Sequence, residues 1–144
     1  KGADASAAFY DHWQNDRLVM DKWFGLQVRC APPDAAVGTA QMLTDHPKFD
    51  WKNPNRFRAV IGGLTGNSAG FHAPDGSGYT FLADWLIKLD PVNPQTTARM
   101  AKAFDAWAQF DAGRQRQMRT ELRRIADTPN LSSDTAEIVT RILG

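Results

Sequence analysis

The residues able to do chemistry are thinly spread in this chain. The densest group is His72 followed by Asp75-Gly76-Ser77-Gly78-Tyr79. One reading makes it a rigid loop that presents backbone N–H groups toward a pocket, with His72 beside it. The other makes it a helix start, with Asp75 or Ser77 as N-cap, glycines for the tight entry and Tyr79 packed beneath. Arg56 and Arg58 stand on the first two turns after Asn53-Pro54, and Arg99 on the helix after Asn93-Pro94. Positive charge near a helix N-terminus opposes the macrodipole, so these arginines need a reason. One is recognition of a carboxylate, whose two oxygens match the guanidinium fork. The other is pairing with a nearby Asp. Arg114, Arg116, Arg119, Arg123 and Arg124 flank a narrow apolar stripe and read as a solvated helix face. With Glu121 and Asp127 among them and a net charge of +1, they do not make a nucleic-acid surface.

Catalytic constellations are missing from the string. It holds no H-E-x-x-H, no Walker loop, no G-x-S-x-G and no paired cysteines. His12, His46 and His72 are scattered, and none has a second His at i+4. The stretch from Gly66 to Gly78 is glycine-rich but lacks the preceding strand and the following Lys-Ser/Thr of a phosphate cradle.

The elements that must position these residues are helical. Ala5, Ala8, Phe9 and Trp13 predict a short amphipathic helix. Leu18 to Val28 is apolar on more than one face and predicts a central helix packed from both sides. Pro32-Pro33 ends it, and Asp34 is the expected cap of the next segment, with Val37, Ala40, Met42 and Leu43. His46 to Trp51 reads as a turn with two aromatic anchors. Each Asn-Pro pair predicts a helix start, Asn as cap and Pro at the first helical position. The first stripe is Phe57, Val60, Ile61 and Leu64; the second is Met100, Phe104, Trp107 and Ala108. Gly62, Gly63, Gly66 and Gly70 read as a loose loop between them. Tyr79, Leu82, Trp85, Leu86 and Leu89 form another face, and Met118, Leu122 and Ile125 a narrow one. A last helix with Ile138, Val139, Ile142 and Leu143 is capped by Ser132, Ser133 or Asp134. No stretch alternates as a strand. The expectation is an all-α fold of about eight helices, as stacked antiparallel hairpins of the HEAT or armadillo kind. The two Asn-Pro caps lie 40 residues apart, inside that repeat spacing.

Composition bounds the class. A chain of 144 residues supports one domain, residues 1–144, with a real core. Hydrophobic residues at 42% and charged residues at 23% exclude a disordered protein. Cys30 is the only cysteine, so neither an internal disulfide nor a cysteine zinc site is available, and a reducing compartment, the cytoplasm, is expected. No apolar run approaches the roughly 18 residues of a membrane span. Lys1-Gly2-Ala3-Asp4 is no signal peptide, and the missing initiator Met reads as a fragment of something longer.

Two blocks carry a resemblance. Lys52-Asn53-Pro54-Asn55-Arg56-Phe57-Arg58-Ala59-Val60-Ile61-Gly62 and Phe71-His72-Ala73-Pro74-Asp75-Gly76-Ser77-Gly78-Tyr79 resemble the C-terminal domain of bacterial-type aminopeptidase N, a zinc metallopeptidase family. His12-Trp13-Gln14, Leu18 to Phe24, Asn93-Pro94-Gln95 and Asp111 to Gln115 extend the likeness over nearly the whole chain. The resemblance implies a four-domain enzyme of which this is the end of the last domain, a helical stack closing over the catalytic domain of the same chain. It implies zinc held by an H-E-x-x-H helix and a downstream Glu, and a G-A-M-E-N segment gripping the amine of a peptide substrate. None of those pieces occurs in this sequence, so the resemblance puts all catalysis and the zinc outside it. Arg58 and Arg99 match positions that line the inner chamber on the carboxyl side of a bound peptide, and His72, Asp75, Ser77 and Tyr79 lie in a loop near it. The competing expectation is a stand-alone helical-repeat scaffold that binds another protein.

Overall fold

The computed structural model describes residues 17–144. The helix expected around Phe9 and Trp13, and His12 with it, lie outside the described residues. Eight α-helices follow: α1 (Arg17–Arg29), α2 (Ala36–Thr44), α3 (Pro54–Gly66), α4 (Ser68–Phe71), α5 (Ser77–Leu89), α6 (Pro94–Ala101), α7 (Ala112–Ala126) and α8 (Ser133–Leu143). No strand occurs among the described residues. The closest packing joins alternate helices, α1 with α3, α5 with α7 and α6 with α8. That is the pattern of stacked hairpins, in which each helix lies against its equivalent in the next pair.

Both Asn-Pro caps form. The Asn53 side chain accepts hydrogen bonds from the backbone N–H of Asn55 (3.0 Å) and Arg56 (3.4 Å), and Asn93 from Thr96 (3.1 Å). Ser132 caps α8 through Thr135 N–H at 3.2 Å. The predicted stripes enter one core: Phe57, Val60, Ile61, Leu64, Tyr79, Leu82, Leu86, Met118, Leu122 and Ile125 are all fully buried. Each large apolar side chain placed there contributes about 1.5–3 kcal/mol. Phe49 and Trp51 anchor the turn at 45–53, both edge-on or tilted against Trp85.

Four expectations are corrected. Gly62, Gly63 and Gly66 lie inside α3 and Gly70 inside α4, not in a loop. At two of them small size serves close approach: a Cβ on Gly63 would stand 2.8 Å from the Gly25 carbonyl oxygen, and one on Gly70 2.4 Å from the Ala36 Cβ, whereas one on Gly62 would meet nothing within 4 Å. Helix α1 buries one face, Met20, Phe24 and Val28, while Leu18 and Leu26 are exposed among the described residues. Asp34 does not cap α2; its cap position is Ala35, with no side-chain bond. The helix after Asn93-Pro94 stops at Ala101 and gives way to 3-10 turns at Lys102–Phe104 and Trp107–Gln109. Phe104 remains buried there, and the Trp107 indole N–H reaches the Ile142 carbonyl at 2.7 Å.

Candidate functional site

The first Asn-Pro cap places two arginines with opposite fates. Arg56 is buried. Its Nε donates to the Asp21 carboxylate of α1 at 2.5 Å, another guanidinium nitrogen donates to the Lys48 carbonyl, and the guanidinium lies 5.0 Å from the Phe24 ring centroid. It ties α1, the 45–53 turn and α3 together, which is the Asp-pairing alternative realised. Arg58, two residues on, turns away from that tie. It donates to the Asn55 side-chain oxygen at 2.6 Å and lines an open cavity of about 420 Å³ between α1 and α3. Lys22, Arg29, Gly25, Leu26 and Ala59 line it too, with Asp21 at its edge. Because Arg56 already holds Asp21, the described residues give the groove three cations and no carboxylate outside that pair.

Arg99 is exposed on α6, in a separate groove of about 330 Å³ against α8. Lys102 stands on its side, and Asp134 and Glu137 on the other. The two arginines share no lining residue, so the structure does not bring them to one cavity. Sequence reasoning missed Lys22 and Arg29. Their spacing of seven, with Gly25 and Leu26 between, puts all four on one helix face and was the available signal.

The glycine-rich group divides into two pairs. Asp75 accepts from the Ser77 N–H (2.9 Å) and hydroxyl (2.7 Å), and these bonds hold its carboxyl below the usual carboxylate range. Gly76, in the left-handed region at φ +75°, is the residue preceding α5, so neither Asp75 nor Ser77 occupies the cap position. That φ is what requires glycine here. His72 Nδ1 and the Tyr79 hydroxyl are 2.7 Å apart, and the imidazole stacks on Phe110 with ring centroids 4.3 Å apart. Burial, then the charge of Arg114, lowers the His72 pKa; burial raises that of Tyr79. Neutral at physiological pH, this pair joins α4 to α5 inside the stack. The Arg114 Nε donates to the His72 carbonyl at 2.7 Å and another nitrogen to Asp111 at 2.7 Å. Arg124 pairs with Asp84 at 2.8 Å and Glu121 at 2.7 Å. The arginine face of α7 therefore includes ties to α5 as well as solvated charges.

A second buried charge also escaped the sequence reading. The Asp90 carboxylate accepts from the Ser132 N–H (2.8 Å), the Ser132 hydroxyl (2.7 Å) and the Thr135 hydroxyl (2.5 Å). It docks the end of α5 on the N-terminus of α8, where a negative charge is favoured. Its position directly before Pro91, after an apolar helix face, was the only sequence hint.

Among the described residues no group of three or more His, Cys, Asp and Glu could hold a metal ion. His46 and His72 use their Nδ1 atoms on Lys48 N–H and Tyr79 respectively, in different parts of the stack. These residues do not fit a zinc site. No helix among the described residues is long and apolar enough to cross a membrane.

This architecture of stacked hairpins with charged grooves defines a class. The chain belongs to the family described as "Domain of unknown function (DUF3458_C) ARM repeats", whose profile matches residues 1–144. Its relatives are aminopeptidases. It is 44% identical to aminopeptidase N of Haemophilus influenzae over 95% of this chain, and 40% identical to aminopeptidase N of Caulobacter vibrioides over 97%. A crystal structure of Legionella pneumophila aminopeptidase A in complex with aspartic acid superposes on 98% of the chain with a TM-score of 0.91 and 32% identity. The chain spans 16% of the length of each of these proteins. The resemblance to a helical part of bacterial-type aminopeptidase N therefore holds.

Proposed function

We propose that residues 1–144 are a single helical domain part, the C-terminal portion of the last domain of a zinc-dependent aminopeptidase N in the cytoplasm. The whole enzyme removes N-terminal residues from peptides. This part closes over the catalytic domain of the same chain and shapes the substrate chamber. It supplies no catalytic residue and no metal ligand; the zinc and the general base belong to the catalytic domain. When bound there, zinc supplies an activated water and polarises the scissile carbonyl. The observation that carries this reading is 40–44% identity to aminopeptidases N over nearly the whole chain.

Within the chamber, Arg58 and Arg99 handle the carboxyl side of the peptide, and the His72, Asp75, Ser77 and Tyr79 region forms a nearby wall. The open groove with Arg58, Lys22 and Arg29 favours Arg58 as the stronger of the two contacts, because the Arg99 groove also holds the carboxylates of Asp134 and Glu137, which would repel an incoming carboxylate. Aspartic acid, the ligand of the Legionella relative, carries two carboxylates. The test is the full-length protein assayed on aminoacyl anilides and short peptides, before and after chelation. The reading expects N-terminal residues to be released, activity to be lost with the chelator, and zinc to restore it. Absence of release, or an upstream reading frame without H-E-x-x-H, overturns it. The isolated chain should bind no zinc stoichiometrically and cleave nothing.

A further inference from the structure

A third groove differs from both arginine grooves in sign. It is an open cleft of about 460 Å³ where the α1–α2 loop and α2 meet α4 and the start of α5. Pro33, Val37, Ala69, Ala73 and Pro74 give it apolar walls. Its remaining groups are two carboxylates, Asp34 and Asp75, and the Ser77 hydroxyl. No cation of the described residues comes within ion-pair distance of either carboxylate. Asp34 is free of the capping role its position suggests, since α2 starts without a side-chain bond. Asp75 is exposed, and its hydrogen bonds with Ser77 use Oδ1 alone.

Apolar walls with two uncompensated carboxylates fit one kind of group: an aliphatic stem ending in a cation. We propose that this cleft holds the side chain of a lysine or arginine belonging to a polypeptide. The stem lies against Val37, Ala69 and Ala73, and the ammonium or guanidinium sits between Asp34 and Asp75. Pro33, Asp34, Ala69 and Pro74 are exposed, so peptide backbone on either side of that residue can run across the open trough. None of these residues lines the Arg58 or Arg99 groove, so the binding of a cationic side chain here is separable from the carboxylate reading, although Asp75 and Ser77 also belong to the chamber wall proposed above.

The experiment is a backbone-amide NMR titration of the chain with N-acetyl-lysine methylamide, N-acetyl-arginine methylamide, neutral N-acetyl-norleucine methylamide and n-butylamine. Saturable shifts centred on Val37, Ala69 and Ala73, with the two cationic amino-acid derivatives binding at least severalfold more tightly than norleucine and n-butylamine, support the proposal. Asp34→Asn should weaken the lysine derivative about two- to fivefold, the range for one exposed ion pair. Asp75→Asn should do the same while keeping an oxygen for Ser77 and hence the helix start. The double variant should bind lysine and norleucine derivatives alike. Equal binding of norleucine in the unaltered chain, equal binding of n-butylamine, shifts centred elsewhere, or no shifts would each overturn it.

Discussion

The α1–α3 and α6–α8 ends of the stack are built on the same plan and differ in one respect. Each is pinned by a buried charged residue, Arg56 at the first and Asp90 at the second, and each presents an exposed or half-exposed arginine in a groove outside the pin. At the α1–α3 end the pin takes Asp21, the one carboxylate among the described residues lining the groove, which also holds Lys22, Arg29 and Arg58. At the α6–α8 end the pin consumes hydroxyls and an N–H, so Asp134 stays in the groove beside Arg99 and Lys102, together with Glu137, which pairs with Arg141 at 3.7 Å. An arginine near a helix N-terminus is thus not a binding residue by position. Its neighbours' prior commitments decide.

The two pins should give the largest effects. Arg56→Ala leaves Asp21 and the Lys48 carbonyl without their partner, and Asp90→Ala strands the Ser132 and Thr135 donors. Each should lower unfolding free energy by about 3 kcal/mol in urea titrations. A loss below about 1 kcal/mol at either would break the symmetry claimed for the two ends. Backbone proximity gives the next effect, at the α1–α3 crossing. Gly63→Ala, whose Cβ would stand 2.8 Å from the Gly25 oxygen, should cost about 1–3 kcal/mol. Gly62→Ala meets nothing within 4 Å and should instead stabilise by about 0.5–1 kcal/mol through helix propensity. The same unfolding assay checks both, and equal effects would mean that the two helices do not approach as described.

The smallest effect is on pH dependence. His46, through burial and then Arg56 and Lys48, and His72, through burial and Arg114, both titrate below the ordinary 6.5. The unfolded chain therefore binds more protons than the folded one as pH falls through 6.5. Stability should be complete above that value and decline below it, and His72→Gln should flatten part of the slope. A chain that gains stability on acidification from pH 7.5 to 5.5 would contradict this.

Much of the fold was legible because caps and stripes are local. Asn53-Pro54 and Asn93-Pro94 announce helix starts by chemistry confined to four residues, and Phe57, Val60, Ile61 and Leu64 announce a face by spacing alone. Gly62, Gly63 and Gly66 misled because glycine signals a loop locally, while here Gly63 serves the approach of α1, some 40 positions away in sequence, Gly66 lies against the Arg29 side chain and Gly62 has open space around it. The candidate site was half legible. Arg58 stands out as an electrostatic oddity, whereas Arg99 lies in the last turn of α6, where a cation is favoured, and the Arg29, Asp134 and Glu137 beside these two arginines belong to other helices. Asp34 shows the reverse: a good cap by type and position, it lines a cleft instead.

The two ends differ in that Arg58 faces a groove of cations, while Arg99 shares its groove with two carboxylates, Asp134 and Glu137. Steady-state kcat/KM of the full-length protein on dipeptides and on the matching aminoacyl anilides, for Arg58→Ala and Arg99→Ala, tests the proposed consequence of that difference most directly. Only the dipeptide carries a carboxylate. Arg58→Ala should lose roughly tenfold on dipeptides, about 1.4 kcal/mol at a partly solvated contact, and little on anilides. Arg99→Ala should lose about twofold on dipeptides. Equal fractional losses on both substrate types in Arg58→Ala, or a larger dipeptide-specific loss in Arg99→Ala, would contradict the account.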